Sequence, residues 1–271
     1  TNLTGATLTG ANLGKNGSTV TDLSDAILTN AKLIKADLTG ADLSRANLTG
    51  TDLTGADLTG ATLLTNTFST TTNLTSAILT DVAGMAGRDM TGVDLEKADL
   101  RGANLALTDL EGAILTGANL TNGASATDLQ GATLTNAKLI KADLTGADLG
   151  KNATGAVATN LTGADLTGAI LKNAQMDDVN LTGANLTKAD LTGATLTGIT
   201  IDGASTNFTS AILVGANLEG DILTNVDMEK ADLRGAQLGK NGSGTATNLT
   251  GATLTGANLG KNGSTVTDLS D

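Results

Sequence analysis

The chain has 271 residues with a formal net charge of −12, and it contains two Phe but no Trp, Tyr, Pro, Cys or His. Without His or Cys, the common proton shuttles, thiol nucleophiles, His/Cys zinc sites and a disulfide framework are all missing. Without Trp, Tyr or a basic cluster, nothing stacks on bases or follows a phosphate backbone, so no nucleic-acid partner is expected.

Apolar residues make up 39% of the chain, nearly all Ala, Leu, Ile and Val. A core without large aromatics is narrow and built in rows, which favours a solenoid over a sphere. The acid is spread along the chain as single Asp residues, a pattern that repels nucleic acid, anionic membranes and other copies of the chain. No apolar run reaches membrane-spanning length, so no membrane insertion is expected.

In chain order, Thr1-Asn2-Leu3 already lies inside a repeating unit and lacks an initiator Met, which reads as processing or excision from something longer. From Ala36 to Gly60 the sequence is ADLTG ADLSR ANLTG TDLTG ADLTG. Its third residue recurs at Leu28, Leu33, Leu38, Leu43, Leu48, Leu53, Leu58 and Leu63, and Phe68 takes the next place. The pattern returns over Leu95–Leu120, Leu129–Leu149, Leu161–Leu196 and Phe208–Leu238, with Leu100, Leu144, Leu166, Leu191, Phe208 and Leu233 at the same place. These side chains are the expected core ladder.

A period of five suits neither regular element. On an α-helix, Leu would drift by roughly 140° per unit. On a continuous strand, alternate Leu would face opposite sides. The pattern closes when each pentapeptide is a short extended piece followed by a turn. Ala and Leu, two apart, then face inward, Asp/Asn and Thr face out, and Gly takes the corner. Asp or Asn can accept a backbone N–H two residues on and steady that corner.

In these residues the chain resembles the pentapeptide-repeat family, whose motif is A(D/N)LXX. The resemblance implies an all-β, right-handed quadrilateral parallel β-helix with four pentapeptides per coil and central Leu or Phe ladders. Two Phe are few for that family, so the core is unusually uniform.

The pattern lapses at Lys15–Val20, Ser69–Thr72, Val82–Arg88, Asn122–Thr127, Gly150–Thr159, Asp202–Thr206 and Gly239–Ala246, all read as loops. Lys15–Val20 keeps the phase but puts Ser18 in a Leu place. A second period is longer: residues 1–25 are identical to 247–271, an offset of 246 residues. The chain reads as one continuous solenoid, with 1–246 one long unit and 247–271 the start of the next. Giving each loop its nearest whole number of sides yields about 48 sides, or about 12 coils, and a rise of ~58 Å per unit. On that count, five loops gather on two neighbouring sides or their shared corner, while Ser69–Thr72 and Gly150–Thr159 do not. No capping helix is visible at either end, which favours coils that continue or stack end to end.

Candidate chemical sites are few. Asp177-Asp178 is the single adjacent carboxylate pair and reads as a solvated turn. Outward Asp such as Asp52 and Asp57 could attract calcium but are read as corner-stabilising residues. Gly84–Gly87 and Asn241–Ala246 lack the Lys-Ser/Thr ending of a phosphate loop and read as plain loops. NxT or NxS triplets at Asn2, Asn16, Asn47, Asn119 and Asn248 follow automatically from the repeat. Ile34, Leu64, Leu107, Ile140 and Val214 fall at outward places and are candidates for lateral contact.

These features predict a non-enzymatic fibre or spacer rod without cofactors, self-associating end to end or laterally, in an extracellular or cell-surface setting. A DNA-mimicking binder of a type II topoisomerase and a Thr-rich ice- or surface-binding solenoid are the alternatives.

Overall fold

The computed structural model describes residues 1–121, 126–152, 154–201, 205–239, 247–250, 252–255, 257 and 259. Its unit is a turn every five residues. The carbonyl of Leu33 accepts the N–H of Ala36 at 3.0 Å, and Lys35 between them sits at φ 54°. A third turn residue with positive φ is the requirement that favours Gly. Gly fills it at Gly55, for example, but Asn30, Lys35 and Arg45 fill it too, at about 1 kcal/mol each.

Between turns the chain pairs with the next coil in parallel. The amide of Leu38 donates to Asp57 O at 2.7 Å, and the amide of Asp57 donates to Ala36 O at 2.9 Å. Asp37 thus lies over Asp57, twenty residues later. Twenty residues with a turn every five make a coil of four sides. Alternation along each short extended piece sends Ala and Leu inward and the flanking residues out.

Four inward columns result. Column 1 holds Leu28, Leu48 and Phe68, and column 2 holds Leu33, Leu53, Leu166 and Phe208. Column 3 holds Leu38, Leu58, Leu100, Leu144, Leu191 and Leu233, and column 4 holds Leu43 and Leu63. All fifteen are buried. Phe68 is 8% exposed and the others at most 1%. Ala fills the other inward place, as at Ala36, Ala41 and Ala46.

The second column is unbroken from end to end. Thr7, Lys32, Asp52, Asn73, Asp94, Ile114, Lys138, Asp165, Asn185, Asn207, Asp227 and Thr253 are joined by eleven successive parallel bridges. Thr7 and Thr253 are the same residue of the long unit, 246 apart. The unit therefore spans eleven coils, one fewer than the count from sequence.

The difference has a physical cause. Lys15–Val20, Asn122–Thr127, Gly150–Thr159 and Gly239–Ala246 each lengthen their coil by four to seven residues, near the five of a side, and so read as one extra side each, yet none carries a Leu to stand inward. The chain leaves and rejoins the coil at a corner instead, with no side added between the flanking columns. The steps Thr7–Lys32, Ile114–Lys138, Lys138–Asp165 and Asp227–Thr253 take 25, 24, 27 and 26 residues in place of 20. Asn16 and Thr19 pair back to back in a small hairpin, with N···O distances of 2.9 and 3.0 Å, and Ser18 is exposed. Four sides fewer is one whole coil, so the unit still returns to its starting column.

Candidate functional site

The outward Asp and Asn are engaged locally. Asp57 accepts the Thr59 amide at 2.9 Å and its hydroxyl at 2.6 Å, and Asp52 accepts Thr54 in the same way at 3.1 and 2.6 Å. The backbone N–H of Thr39 holds the Asp37 carboxyl below the usual carboxylate range, and that of Thr91 does the same for Asp89. Many outer Thr hydroxyls thus turn onto the protein and have less to offer water. Among the described residues no group of three or more acidic, His or Cys side chains could hold a metal ion. Asp177 accepts the hydroxyls of Thr195 and Thr197 at 2.9 and 2.5 Å, while Asp178 pairs with Lys151 at 3.1 Å. The adjacent pair is tied into neighbouring coils rather than left as a free turn.

The loops are sorted by corner. Lys15–Val20 and Asn122–Thr127 leave between columns 3 and 4, Val82–Arg88 rides on column 4, and Gly150–Thr159 and Gly239–Ala246 leave between columns 4 and 1. Ser69–Thr72 and Asp202–Thr206, the shortest, lie between columns 1 and 2. Residues 122–125, 153, 202–204 and 240–246 are outside the described set, and the flanking columns set where those loops leave and rejoin. Gly150–Thr159 therefore joins the gathered loops and Asp202–Thr206 does not, the reverse of the expectation from counting sides. The Asn241–Ala246 stretch lies outside the described residues; Gly84 packs beneath Leu64 of the previous coil.

A buried Thr closes these loops, and the sequence reading missed it. Thr159 is fully buried, and its hydroxyl reaches Leu129 O at 2.8 Å and Gly150 O at 3.1 Å while accepting the Gly131 amide at 2.9 Å. It ties the loop's exit, its return and the coil before. Thr127 and Thr247 bond in the same pattern, and Thr21 and Thr206 in part of it. The signal was present: six of the seven lapses end in Thr-Asp/Asn-Leu/Phe, with Thr where Ala stands elsewhere. Thr159→Val keeps the shape and removes the hydroxyl's bonds to three backbone groups, while Leu129 O still accepts the Ala132 amide at 3.0 Å and the Gly131 amide still reaches Gly150 O at 3.3 Å. It should lower the unfolding free energy by about 0.5–1.5 kcal/mol, measured by urea titration, and should speed amide exchange at Gly131.

The repeated turn, the twenty-residue parallel pairing and the buried Leu ladder coincide with a match to pentapeptide repeats. Eight copies cover residues 21–60, 89–122, 124–151, 159–198 and 204–238, well over half the chain. The chain belongs to the pentapeptide-repeat family. Among solved structures it is similar to HetL, a pentapeptide-repeat protein involved in heterocyst differentiation regulation from the cyanobacterium Nostoc sp. strain PCC 7120. That likeness has 29% identity over 86% of this chain and 87% of that one, with a TM-score of 0.27. It is also similar to full-length QnrB1, a plasmid-mediated fluoroquinolone resistance protein, at 16% identity over 91% and 90% with a TM-score of 0.26. Rfr23 of the cyanobacterium Cyanothece 51142 is similar at 27% identity over 59% and 88%, with a TM-score of 0.19. No curated protein matches the chain.

The surface of this pentapeptide-repeat chain is unevenly divided. Among the described residues no insertion interrupts columns 2 and 3 or the corner between them. At that corner, Lys35, Lys97, Lys141, Lys188 and Lys230 hold the positive-φ place and are exposed. Gly55, Gly117 and Gly168 follow Lys35, Lys97 and Lys141 one coil later, and a Cβ there would meet the Lys Cγ at 3.5–3.7 Å. Each of these Lys stems lies across the next coil with its ammonium outward. Ten of the fourteen described Lys and Arg stand on columns 2 and 3 or their corner, with twelve carboxylates. The rest of the described rod carries four cations and thirteen carboxylates. The net charge of −12 is therefore unevenly placed: the smooth side is near neutral and the looped side strongly acidic.

Leu64 and Leu107, half-exposed as expected, stand beside the acidic column 4, whereas Ile34, Ile140 and Val214 are only partly exposed. Ile27 and Ile222, more exposed than those three, occupy Asx places on column 1. One carboxylate is misplaced for solubility. Asp221 stands in an inward Ala place, 2% exposed. One of its oxygens accepts the amides of Gly198 and Ile199 at 2.7 and 3.2 Å, and the other is buried without a partner. No helix among the described residues is long and apolar enough to cross a membrane.

Proposed function

We propose that this chain is a segment of a right-handed structural rod, a spacer or fibre built from 246-residue units joined end to end, with no enzymatic role. The observation that supports this reading is the uninterrupted ladder from Thr7 to Thr253. Because equivalent residues return to one column after a whole number of coils, a following unit stacks with its sides in register. Every surface feature then recurs on the same column. A repeat gaining or losing a single side would spiral its loops around the rod. Each coil is held by its neighbours through backbone pairing and Leu stacking, which makes such an array stiff along its axis.

The test is length. Chains of one, two and three units should form straight rods that lengthen by ~53 Å per unit, eleven coils at strand spacing, in electron micrographs or small-angle scattering. Compact particles, or a length that fails to grow with unit number, would sink the reading.

A further inference from the structure

We infer that these rods associate side by side, the lysine corner of one seating on the acidic looped edge of a second copy. The inference rests on the rod reading above and names its lateral partner.

Three observations carry it. The lysine corner is regular. Lys97, Lys141, Lys188 and Lys230 occupy alternate coils, about 10 Å apart along the axis, with Gly117, Gly168 and Ser210 between them. A row of ammonium groups on a smooth, insertion-free corner is a straight contact line. The acidic edge has the opposite character. Asp22, Asp42, Asp128, Asp148, Asp177 and Glu219 stand on column 4, and the long insertions leave from the corners on either side of it. On a four-sided coil, the corner between columns 2 and 3 lies diagonally across from the corner between columns 4 and 1. Column 4 faces away from column 2 and borders that second corner, so the lysine corner and the acidic edge face largely away from each other on one rod.

That opposition decides the kind of assembly. When donor and acceptor surfaces are different and face away from each other, contact is heterologous and leaves a free surface at each side. It propagates as a ribbon and does not close into a dimer. Copies with matched charge lines also set their own axial register, since sliding puts ammonium groups opposite the wrong side chains. Net repulsion between rods of like overall charge is offset because the near-neutral side always meets the acidic one. Lys97 and Lys230 already touch Glu96 and Glu229 at 2.7 and 2.6 Å, but all four side chains are 38–67% exposed and can exchange partners.

The experiment is microscopy of the full chain at two ionic strengths. At about 0.01 M salt the screening length is ~30 Å, and at about 1 M it is ~3 Å. The parent should form ribbons many rods wide at low salt and single rods at high salt. The variant with Lys97, Lys141, Lys188 and Lys230 all changed to Gln should form single rods at both, with unchanged rod length and circular dichroism. The matching Lys→Arg variant, which keeps the charge, should form ribbons like the parent. Single parent rods of the proper length at low salt, or ribbons of the Gln variant as wide as the parent's, would overturn lateral pairing and leave the rod reading standing. Compact particles in place of rods would remove both.

Discussion

An Asp221→Asn variant should be more stable than the parent at pH 8 and equal to it near pH 4. Burial pushes the Asp221 carboxyl up from 3.8 to about 7; the Gly198 and Ile199 amides pull it down, and Asp177 and Asp178 push it further up. The sign follows from proton counting. Between the unfolded and folded values, the native chain keeps a proton that the unfolded chain has released. Stability is therefore complete below pH 4, falls as pH rises toward 7, and stays low above it. The loss is of the order of 4 kcal/mol for a shift of this size. Asn keeps an oxygen for the two amides and carries no charge, so its profile should be flat over that range. Urea titrations of both proteins from pH 4 to pH 8, with amide exchange read at Gly198 and Ile199, test this. Parallel profiles would show that Asp221 ionises at no cost.

Leu144→Ala is expected to lower the unfolding free energy by about 2–5 kcal/mol. Leu144 is fully buried in column 3, as is Leu171 of the next coil. The backbone around it is held by coil-to-coil bonds, as in Leu144 N–H to Ile170 O at 2.7 Å, so the coil cannot collapse to fill the gap. Because each coil contacts only its neighbours, the damage should be local, with faster amide exchange near Leu120, Leu144 and Leu171 and little change near Leu48. Thr145→Ala, one residue on and facing out, loses the hydroxyl bond to Asp143 at 2.7 Å and should cost less than 1 kcal/mol. A Leu144→Ala protein as stable as the Thr145→Ala protein would mean that the ladder is not the main support of the coil.

The period of five was enough to place Leu28, Leu144 and Phe208 inside and Asp57 outside, because one short strand and one turn repeat without change. The Asx bond to the residue two on was legible for the same reason: donor and acceptor are neighbours in sequence. The four long insertions were not. Lys15–Val20 and Gly150–Thr159 lengthen their coils by five and seven residues, near the length of a side, and only the pairing of Thr7 with Lys32 and of Lys138 with Asp165 shows that they add none. The Thr159 clasp was visible as Thr-Asn-Leu after a lapse but had no meaning until Leu129 O and Gly150 O were brought beside it. Asp221 reads in sequence as one more surface acid; its position in an inward Ala place, once the coil register is known, makes it a buried one.

By itself, the sequence determined the local rule: an apolar pair inward, an Asx-steadied extended piece and a turn every five residues. It also contained the 246-residue copy. Which residues stand above one another was decided only by the tertiary structure, because each insertion shifts every later residue relative to the coil beneath. The lysines at 97, 141, 188 and 230 are separated by unequal spans of chain and become a line only after those insertions are pushed out at the corners. Stacking cannot skip a side without exposing an inward Leu, so it selects one register. That register places a smooth lysine corner opposite an acidic looped edge.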